Sequence, residues 1–270
     1  MMPVGSARMY AWAPSLTAAW QRLLTWLSSR AEVPLTVLDR ADTLPLDDIW
    51  ERDDLGCVLM CGYPWALRRD RPHLLAAPVP SPARYGDRPV YFTDFIVRDD
   101  SPYARLEDTF GGCLAYSTEH SHSGYNAARF HLLDYRTPSR PTLYGRVLGP
   151  LHRQIPVIDA VIDGRADVGP VDGYALDLLR RHGDERARRV RVVETTAPAP
   201  SAPWVASPVV DAASRERLTV ALLNAHHARE LATTLDELLL AHFVRVVESD
   251  LDVFLHRARA AEAAGYATLA

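Results

Sequence analysis

Short apolar runs alternate with helical patterns along most of the chain, and this alternation restricts the fold more than any other feature. Residues 57–61 form an uninterrupted apolar run, as expected of a strand covered on both faces. Strands of this kind that alternate with helices are typical of an α/β protein with mainly parallel sheets. The predicted strands are residues 9–12, 33–38, 57–61, 91–97, 113–116, 143–148, 167–171 and 190–195.

Helical periodicity is clearest after Pro14 and Ser15, which are suited to open a helix. The apolar residues predicted to share its buried face are Leu16, Ala19, Trp20, Leu23, Leu24 and Leu27. A second helix is predicted from about residue 123 to residue 133. Two loops that follow predicted strands, residues 62–65 and 149–152, are candidates for ligand contact because open parallel sheets bind ligands at the carboxyl ends of their strands.

The C-terminal part of the chain has a different character. Beyond about residue 211, long Ala- and Leu-rich helical patterns predominate, with one short strand predicted at 242–247 and a final helix at about 250–264. The Pro-rich segment 197–203 is typical of a stiff crossover between two lobes.

Composition excludes several classes of function. The formal net charge of −4 provides no basic stripe for nucleic acid, and no run of about 18 apolar residues could span a bilayer. All 30 basic residues are Arg, which excludes a Walker A phosphate loop and a Schiff-base mechanism, since both need Lys. Cys57, Cys61 and Cys113 lack the spacing of a zinc site and are predicted to be buried free thiols. No cofactor is predicted.

The N-terminus bears on localisation. Residues 1–7 show no charged region followed by an apolar stretch of about 7–15 residues, so they do not resemble a secretory signal. As written, the sequence predicts a cytoplasmic protein, or a periplasmic one if a signal has been removed.

A cluster of hydroxyl and imidazole residues stands between the predicted strand at 113–116 and the helix that follows it. A helix N-terminus carries free backbone N–H groups and a partial positive charge, so small hydroxyl residues there can surround an oxyanion with donors. Ser121, His122 and Ser123 are therefore predicted to contact an anionic ligand. Two alternatives remain open, a plain helix N-cap at Ser121 and a metal pair formed by His120 and His122.

Three stretches of the chain together resemble the phosphonate, phosphite and phosphate family of ABC-transporter solute-binding proteins. They are residues 94–102, residues 121–125 and residues 158–169. In that family the second stretch usually reads Ser-Thr-Ser-Gly followed by an aromatic residue, so His122 stands where Thr is expected.

The resemblance implies a two-lobed, periplasmic-binding-protein-like (type II) fold with the ligand in a cleft between the lobes. Each lobe is expected to be a mainly parallel sheet flanked by helices. Lobe one would comprise residues 8–88 with 205–265, and lobe two residues 89–204.

The resemblance also implies a set of ligand contacts at the positions that correspond to the family's own. Ser121, His122, Ser123 and Gly124 would hold the anion's oxygens, and His152 would donate from its imidazole. The remaining contacts implied are Tyr91 of the strand entering lobe two and, in the lobe-one loop, Tyr63 or Cys61.

Two positions depart from the pattern of aminophosphonate binders. Tyr174 stands where those proteins have Glu, and Ala202 where they have Asp. Because a ligand ammonium group needs carboxylate partners, an oxyanion without an amino group is expected, and Tyr174 would line that end of the site. Asp172 is either the N-cap of the next helix or a ligand contact.

The sequence supports two hypotheses from different classes. The first is a monomeric binding protein that closes on a small oxyanion of the phosphonate or phosphate type, without covalent chemistry, and serves an ABC permease. The alternative is a cytosolic enzyme on the same scaffold that uses His122 or His152 as general acid or base on an anionic substrate.

Overall fold

A computed structural model describes residues 2–38 and 45–269 of the chain. It divides into two compact units, Met1–Val90 with Pro200–Leu251 and Tyr91–Ala199 with Asp252–Ala270. The chain therefore passes from one unit to the other three times.

The regular elements in the described residues are numbered in chain order. The strands are β1 (Val4–Ser6), β2 (Thr36–Val37), β3 (Leu55–Leu59), β4 (His73–Pro80), β5 (Val90–Tyr91), β6 (Thr93–Arg98), β7 (Cys113–Ala115), β8 (Arg146–Leu148), β9 (Gly169–Asp172), β10 (Val190–Thr195), β11 (Ala199–Pro200), β12 (Trp204–Ala206) and β13 (Leu240–Val244). The α-helices are α1 (Pro14–Arg30), α2 (Leu46–Trp50), α3 (Gly62–Leu67), α4 (Ala127–His131), α5 (Gln154–Ile162), α6 (Gly173–Arg181), α7 (Ala212–Asn224), α8 (Ala232–Glu237) and α9 (Asp252–Ala263). A π-helix spans His122–Asn126, and short 3-10 turns connect several elements.

The first unit contains a six-stranded sheet of order β13-β4-β12-β3-β1-β2. β1 pairs in parallel with β2 and β3, whereas β12 is antiparallel to both β3 and β4, and β13 is antiparallel to β4. The four N-terminal strands therefore run in one direction and the two later strands run against them.

The second unit is built on a sheet in which one strand is reversed. β6 is antiparallel to both β9 and β10, and β7 pairs in parallel with β8. A parallel bridge from Leu114 to Val168 joins β7 to the start of β9. The α/β class is confirmed, and most strands of each unit run in one direction. β6, β12 and β13 run against the others because they do not follow the strand–helix–strand connections that produce parallel neighbours.

Helix α1 shows how local pattern determines packing. It begins at Pro14, whose fixed φ angle suits the first helical position. All six residues predicted for its inner face are buried. At about 1.5–3 kcal/mol for a fully buried large apolar side chain, this face holds the helix on the sheet of the first unit.

Two local predictions need correction. Residues 9–12, predicted as the first strand, are not a strand: β1 lies earlier, and Arg8–Tyr10 form a 3-10 turn. Tyr10 and Ala11 are buried in that turn, so the apolar run reflects packing and not strand pairing. Residues 62–65, predicted as a loop, belong to the short helix α3.

The C-terminal helix belongs to the second unit, whereas residues up to 265 were predicted to lie in lobe one. α9 packs against α4 and the π-helix and buries Phe254 and Ala258. Tyr266 and Leu269, which follow it, join the hydrophobic core of the second unit. The periodicity of residues 252–263 predicts the helix but carries no information on which core receives it.

Candidate functional site

The turn after β7 places the predicted anion-binding residues at the start of a helix. Ser121 is extended and acts as the N-cap of the π-helix, its Oγ accepting a hydrogen bond from Gly124 N at 3.0 Å. The backbone N–H of Asn126 reaches back to Ser121 O at 3.0 Å, the spacing of a π-turn. The N-cap interpretation of Ser121 is therefore confirmed.

The first turn of this helix leaves donors for a ligand. The N–H groups of His122 and Ser123 are at the start of the helix, where no preceding turn supplies carbonyl acceptors. They lie at the positive end of the helix dipole, which favours an anion. Glu119, the acidic residue of the turn, is a hydrogen-bond acceptor for the Tyr116 hydroxyl at 2.5 Å.

Ser123 is buried and is held through both its side chain and its backbone carbonyl. Its Oγ accepts from Gln154 Nε2 at 3.3 Å, and its carbonyl accepts from Thr93 Oγ1 at 3.2 Å. Gln154 is in turn fixed by Asp172, whose backbone N–H donates to Gln154 Oε1 at 3.1 Å. Because the Ser123 hydroxyl accepts from Gln154, its own hydrogen is available to an anionic oxygen.

The His122 side chain is directed into the second unit. Its ring is 1% exposed, with Nδ1 at 3.1 Å from Asn126 Nδ2 and Nε2 at 3.2 Å from Arg257 Nη1. Burial, and then the charge of Arg257, hold the pKa of His122 well below its ordinary value, so the ring is neutral near pH 7. His120 is exposed whereas His122 is buried with both ring nitrogens against protein nitrogens, so the alternative of a metal pair at these two residues is not supported.

Two other predicted residues of the second unit have defined positions. Tyr91 is buried, with its ring centroid 6.0 Å from that of His122. His152 has an exposed side chain and a left-handed backbone with φ of 65°, and its N–H donates to Ser117 O at 2.6 Å. The structure thus connects the His152 loop to the Ser121 turn through backbone, and the imidazole contact predicted for His152 stays a prediction.

Tyr174 and Tyr63 are both buried aromatic residues at helix starts. Tyr174 is the second residue of α6, whose N-cap is Asp172. The Asp172 carboxylate accepts from the N–H groups of Tyr174 and Ala175, which confirms the N-cap interpretation. Burial raises the pKa of the Tyr174 hydroxyl well above its ordinary value. Tyr63 lies in α3 of the first unit, so its contact with a ligand remains a prediction.

Sequence reasoning missed three residues beside the Ser121 turn. Ser117 is 2% exposed, and its Oγ has no hydrogen-bond partner among the described residues. Its position directly after a strand was a signal that could have identified it, as for the loops at 62–65 and 149–152. Gln154 and Thr93 contact Ser123 from distant parts of the chain, and no local pattern marks either of them.

Two further observations concern the described residues as a whole. Within residues 2–38 and 45–269, no group of three His, Cys, Asp or Glu side chains is arranged to hold a metal ion. In the same residues, no helix has the length and apolar character needed to cross a membrane.

Solved structures with the same architecture are two-lobed periplasmic binding proteins. A binding-protein component of an ABC phosphonate transporter from Pseudomonas aeruginosa superposes with a TM-score of 0.79 at 16% identity, covering 98% of this chain and 88% of that chain. PhnD1 from Prochlorococcus marinus in complex with methylphosphonate gives a TM-score of 0.75 at 13% identity, covering 92% and 93%. XAC2383 from Xanthomonas citri bound to ATP gives 0.61 at 21% identity, covering 92% and 95%. At these identities the likeness establishes the type II fold.

The sequence itself establishes the family. The profile of the ABC transporter phosphonate periplasmic substrate-binding proteins matches residues 11–251, and the chain belongs to this family. None of the curated proteins matches it. The family predicted from the three short stretches is confirmed, and with it the class of solute-binding protein.

Proposed function

We propose that this chain binds a small phosphonate- or phosphate-type oxyanion at the Ser121–Gly124 turn and presents it to an ABC permease in the periplasm. The observation that supports the proposal most directly is the Ser123 environment. A buried hydroxyl there retains a hydrogen for a ligand beside the unpaired amides of a helix start. Membership of the family supports the ligand class and the permease partner.

The proposal extends to how the chain is divided. The two compact units would be the two lobes, joined at Val90/Tyr91, Ala199/Pro200 and Leu251/Asp252. Ligand binding would stabilise the closed arrangement of such lobes without making or breaking a bond.

The ligand is expected to lack an amino group. Tyr174 and Ala202, which stand where aminophosphonate binders have carboxylates, are 3% and 4% exposed. A buried ammonium group without a carboxylate loses several kcal/mol of solvation, so 2-aminoethylphosphonate should bind poorly. Methylphosphonate is the first ligand to test, because the Prochlorococcus relative is in complex with it.

Thermal unfolding in the presence of oxyanions tests the proposal. A ligand at 100 times its Kd stabilises the folded state by about 2.7 kcal/mol, which raises Tm by roughly 5–10 °C for a chain of this size. We expect this shift with methylphosphonate, phosphite or phosphate, and little shift with 2-aminoethylphosphonate or chloride.

The control is Ser123→Ala, which removes the hydroxyl but keeps the helix start. It should unfold at the wild-type temperature without ligand and show a reduced shift with it. Phosphorus NMR of the ligand after prolonged incubation should show no new species. The absence of a shift with every oxyanion, or an equal shift in Ser123→Ala, would contradict the proposed site, and a new phosphorus signal would favour an enzyme.

A further inference from the structure

Arg257 is a buried cation without a carboxylate partner among the described residues. On helix α9 it is 6% exposed, its Nη2 donates to Pro198 O at 2.6 Å, and its guanidinium carbon lies 5.7 Å from the centre of the Phe130 ring. Among the described residues, no carboxylate lies within ion-pair distance of it. Burial lowers the pKa of Arg257 and the Tyr91 hydroxyl opposes this effect. An Arg side chain stays protonated in proteins, so a positive charge without a carboxylate partner is held inside the second unit.

The Nη1 atom of Arg257 faces Nε2 of the His122 ring. That ring nitrogen can accept a hydrogen bond from Arg257 only if the ring proton moves to Nδ1, where it meets the Asn126 amide. Asn126 Nδ2 donates to Phe254 O at 3.0 Å, and its other hydrogen points at His122 Nδ1. His122 Nδ1 is then the acceptor, and the single proton of the neutral ring is on Nε2. His122 Nε2–H and Arg257 Nη1–H therefore meet at 3.2 Å, two donors with no acceptor between them.

In the opposite tautomer of His122, two N–H donors still face each other, but at Nδ1 instead of Nε2. With the proton on His122 Nδ1, Arg257 can donate to Nε2, but Nδ1–H then faces the Asn126 amide nitrogen. Turning the Asn126 amide over would direct its oxygen at Phe254 O, which is also an acceptor. In either tautomer one N–H group of the cluster faces another donor, while Asn126 Oδ1 is buried without a partner among the described residues, and an anionic oxygen is a group that would accept from that N–H.

This cluster adjoins the proposed ligand site. His122 is flanked in sequence by Ser121 and Ser123, and its ring lies against Tyr91 with 6.0 Å between centroids. We propose that Arg257, acting with His122 Nε2–H, is the cationic element of the oxyanion site and makes it select a doubly charged –PO₃²⁻ group over a singly charged group of the same shape. This inference rests on the proposed function.

A purely structural clamp is the competing explanation, and the chain contains an example of one. Arg129 is 5% exposed and donates to Ala267 O at 2.5 Å and to Ala258 O at 3.4 Å. It ties the C-terminal segment to α4 as Arg257 ties α9 to Pro198, but its Nη1 and Nη2 meet carbonyl oxygens and not a second donor, and Nη2 lies 3.9 Å from Glu262 Oε1. Arg129 is therefore a matched control for Arg257.

The experiment compares methylphosphonate with methanesulfonate by isothermal titration calorimetry, at a pH above the second pKa of methylphosphonate. The two ligands share a tetrahedral shape and differ by one charge. Wild type should prefer methylphosphonate, and Arg257→Gln should lose about tenfold or more of that preference, the effect of one unit charge at close range in a partly buried site. Arg257→Lys, which keeps the charge, should retain most of it.

Arg129→Gln should lower Tm while keeping the wild-type preference. A wild-type protein that binds both ligands equally would overturn the inference. This comparison needs no variant, so the inference can be tested even if Arg257→Gln fails to fold. An unchanged preference for methylphosphonate in Arg257→Gln would also overturn the inference, and Arg257 would then have only a structural role. Wild type that binds no oxyanion at all would instead overturn the proposed function, and the inference with it.

Discussion

Gly124 lies against the hydroxyl of Ser117, so closely that a Cβ atom on Gly124 would be 1.9 Å from Ser117 Oγ. The same Cβ would be 3.1 Å from Ser121 Oγ, the N-cap of the helix. No side chain fits at this position unless Ser117 moves. The residue after Ser123 must therefore be Gly for the turn to bring the strand end and the helix start together.

Gly124→Ala should destabilise the second unit through this collision. Forcing a methyl group into a packed site costs about 1–3 kcal/mol, and we expect Tm to fall by several degrees. The double variant Ser117→Gly with Gly124→Ala should recover part of the loss, because it removes the Ser117 side chain but leaves the contact with Ser121. If the double variant unfolds no later than Gly124→Ala alone, the steric explanation is wrong.

Ser117→Ala should separate stability from binding. The Ser117 hydroxyl is buried without a protein partner, so its removal should leave the Tm of the ligand-free protein unchanged or raise it slightly. If the hydroxyl serves the ligand, the affinity for methylphosphonate should fall by about tenfold, the value of one hydrogen bond to a charged group. Calorimetric titration that shows wild-type affinity in Ser117→Ala would exclude Ser117 from the site.

Ser121 and Ser123 are predicted to respond in opposite ways to the same substitution. Ser121→Ala removes the N-cap bond to Gly124 N and should lower the free energy of unfolding by about 1 kcal/mol. Ser123→Ala should change stability by less than about 0.5 kcal/mol but weaken methylphosphonate binding by about tenfold or more.

Paired measurement of Tm and Kd on these two variants tests the assignment. The two substitutions are chemically identical and lie two residues apart in the same turn, which makes each the control of the other. Equal loss of affinity without loss of stability in Ser121→Ala would mean that its hydroxyl serves the ligand and not the helix.

The local sequence pattern was sufficient to predict features that depend on a single helix. The buried face of α1 follows from the spacing of its apolar residues, and the N-caps at Ser121 and Asp172 follow from side chains that bond their own neighbouring backbone. The π-turn at His122–Asn126 was not predictable, because it differs from an α-turn only by one residue in its hydrogen-bond spacing.

The features that could not be predicted from the sequence depend on contacts between residues far apart in the chain. The orientation of His122 depends on Arg257 and on the carbonyl of Phe254, both more than 125 residues away. Their helix was expected in the other lobe, so no argument from the Ser121 turn could have reached them. The direction of β12 and β13 escaped prediction for the same reason, since neighbours in a sheet are chosen by the whole fold.

Buried histidines make the stability of the second unit dependent on pH. Burial lowers the pKa of His122, and also that of His131, where Glu194 opposes the effect. In the unfolded chain both rings titrate near their ordinary pKa of about 6.5. As pH falls below that value, the unfolded state takes up protons that the folded state refuses, so the free energy of unfolding falls with pH until the folded-state pKa is reached.

Thermal unfolding between pH 7.5 and pH 5 measures this dependence, with slopes of up to about 1.4 kcal/mol per pH unit for each histidine. His122→Gln should unfold with a shallower slope below pH 6.5, because one of the protons taken up on unfolding is gone. His131→Gln should flatten the slope less, since Glu194 lies 3.9 Å from His131 Nε2 and favours its charged form. A slope in His122→Gln as steep as that of wild type would mean that the His122 ring takes up its proton as readily in the folded protein as in the unfolded chain.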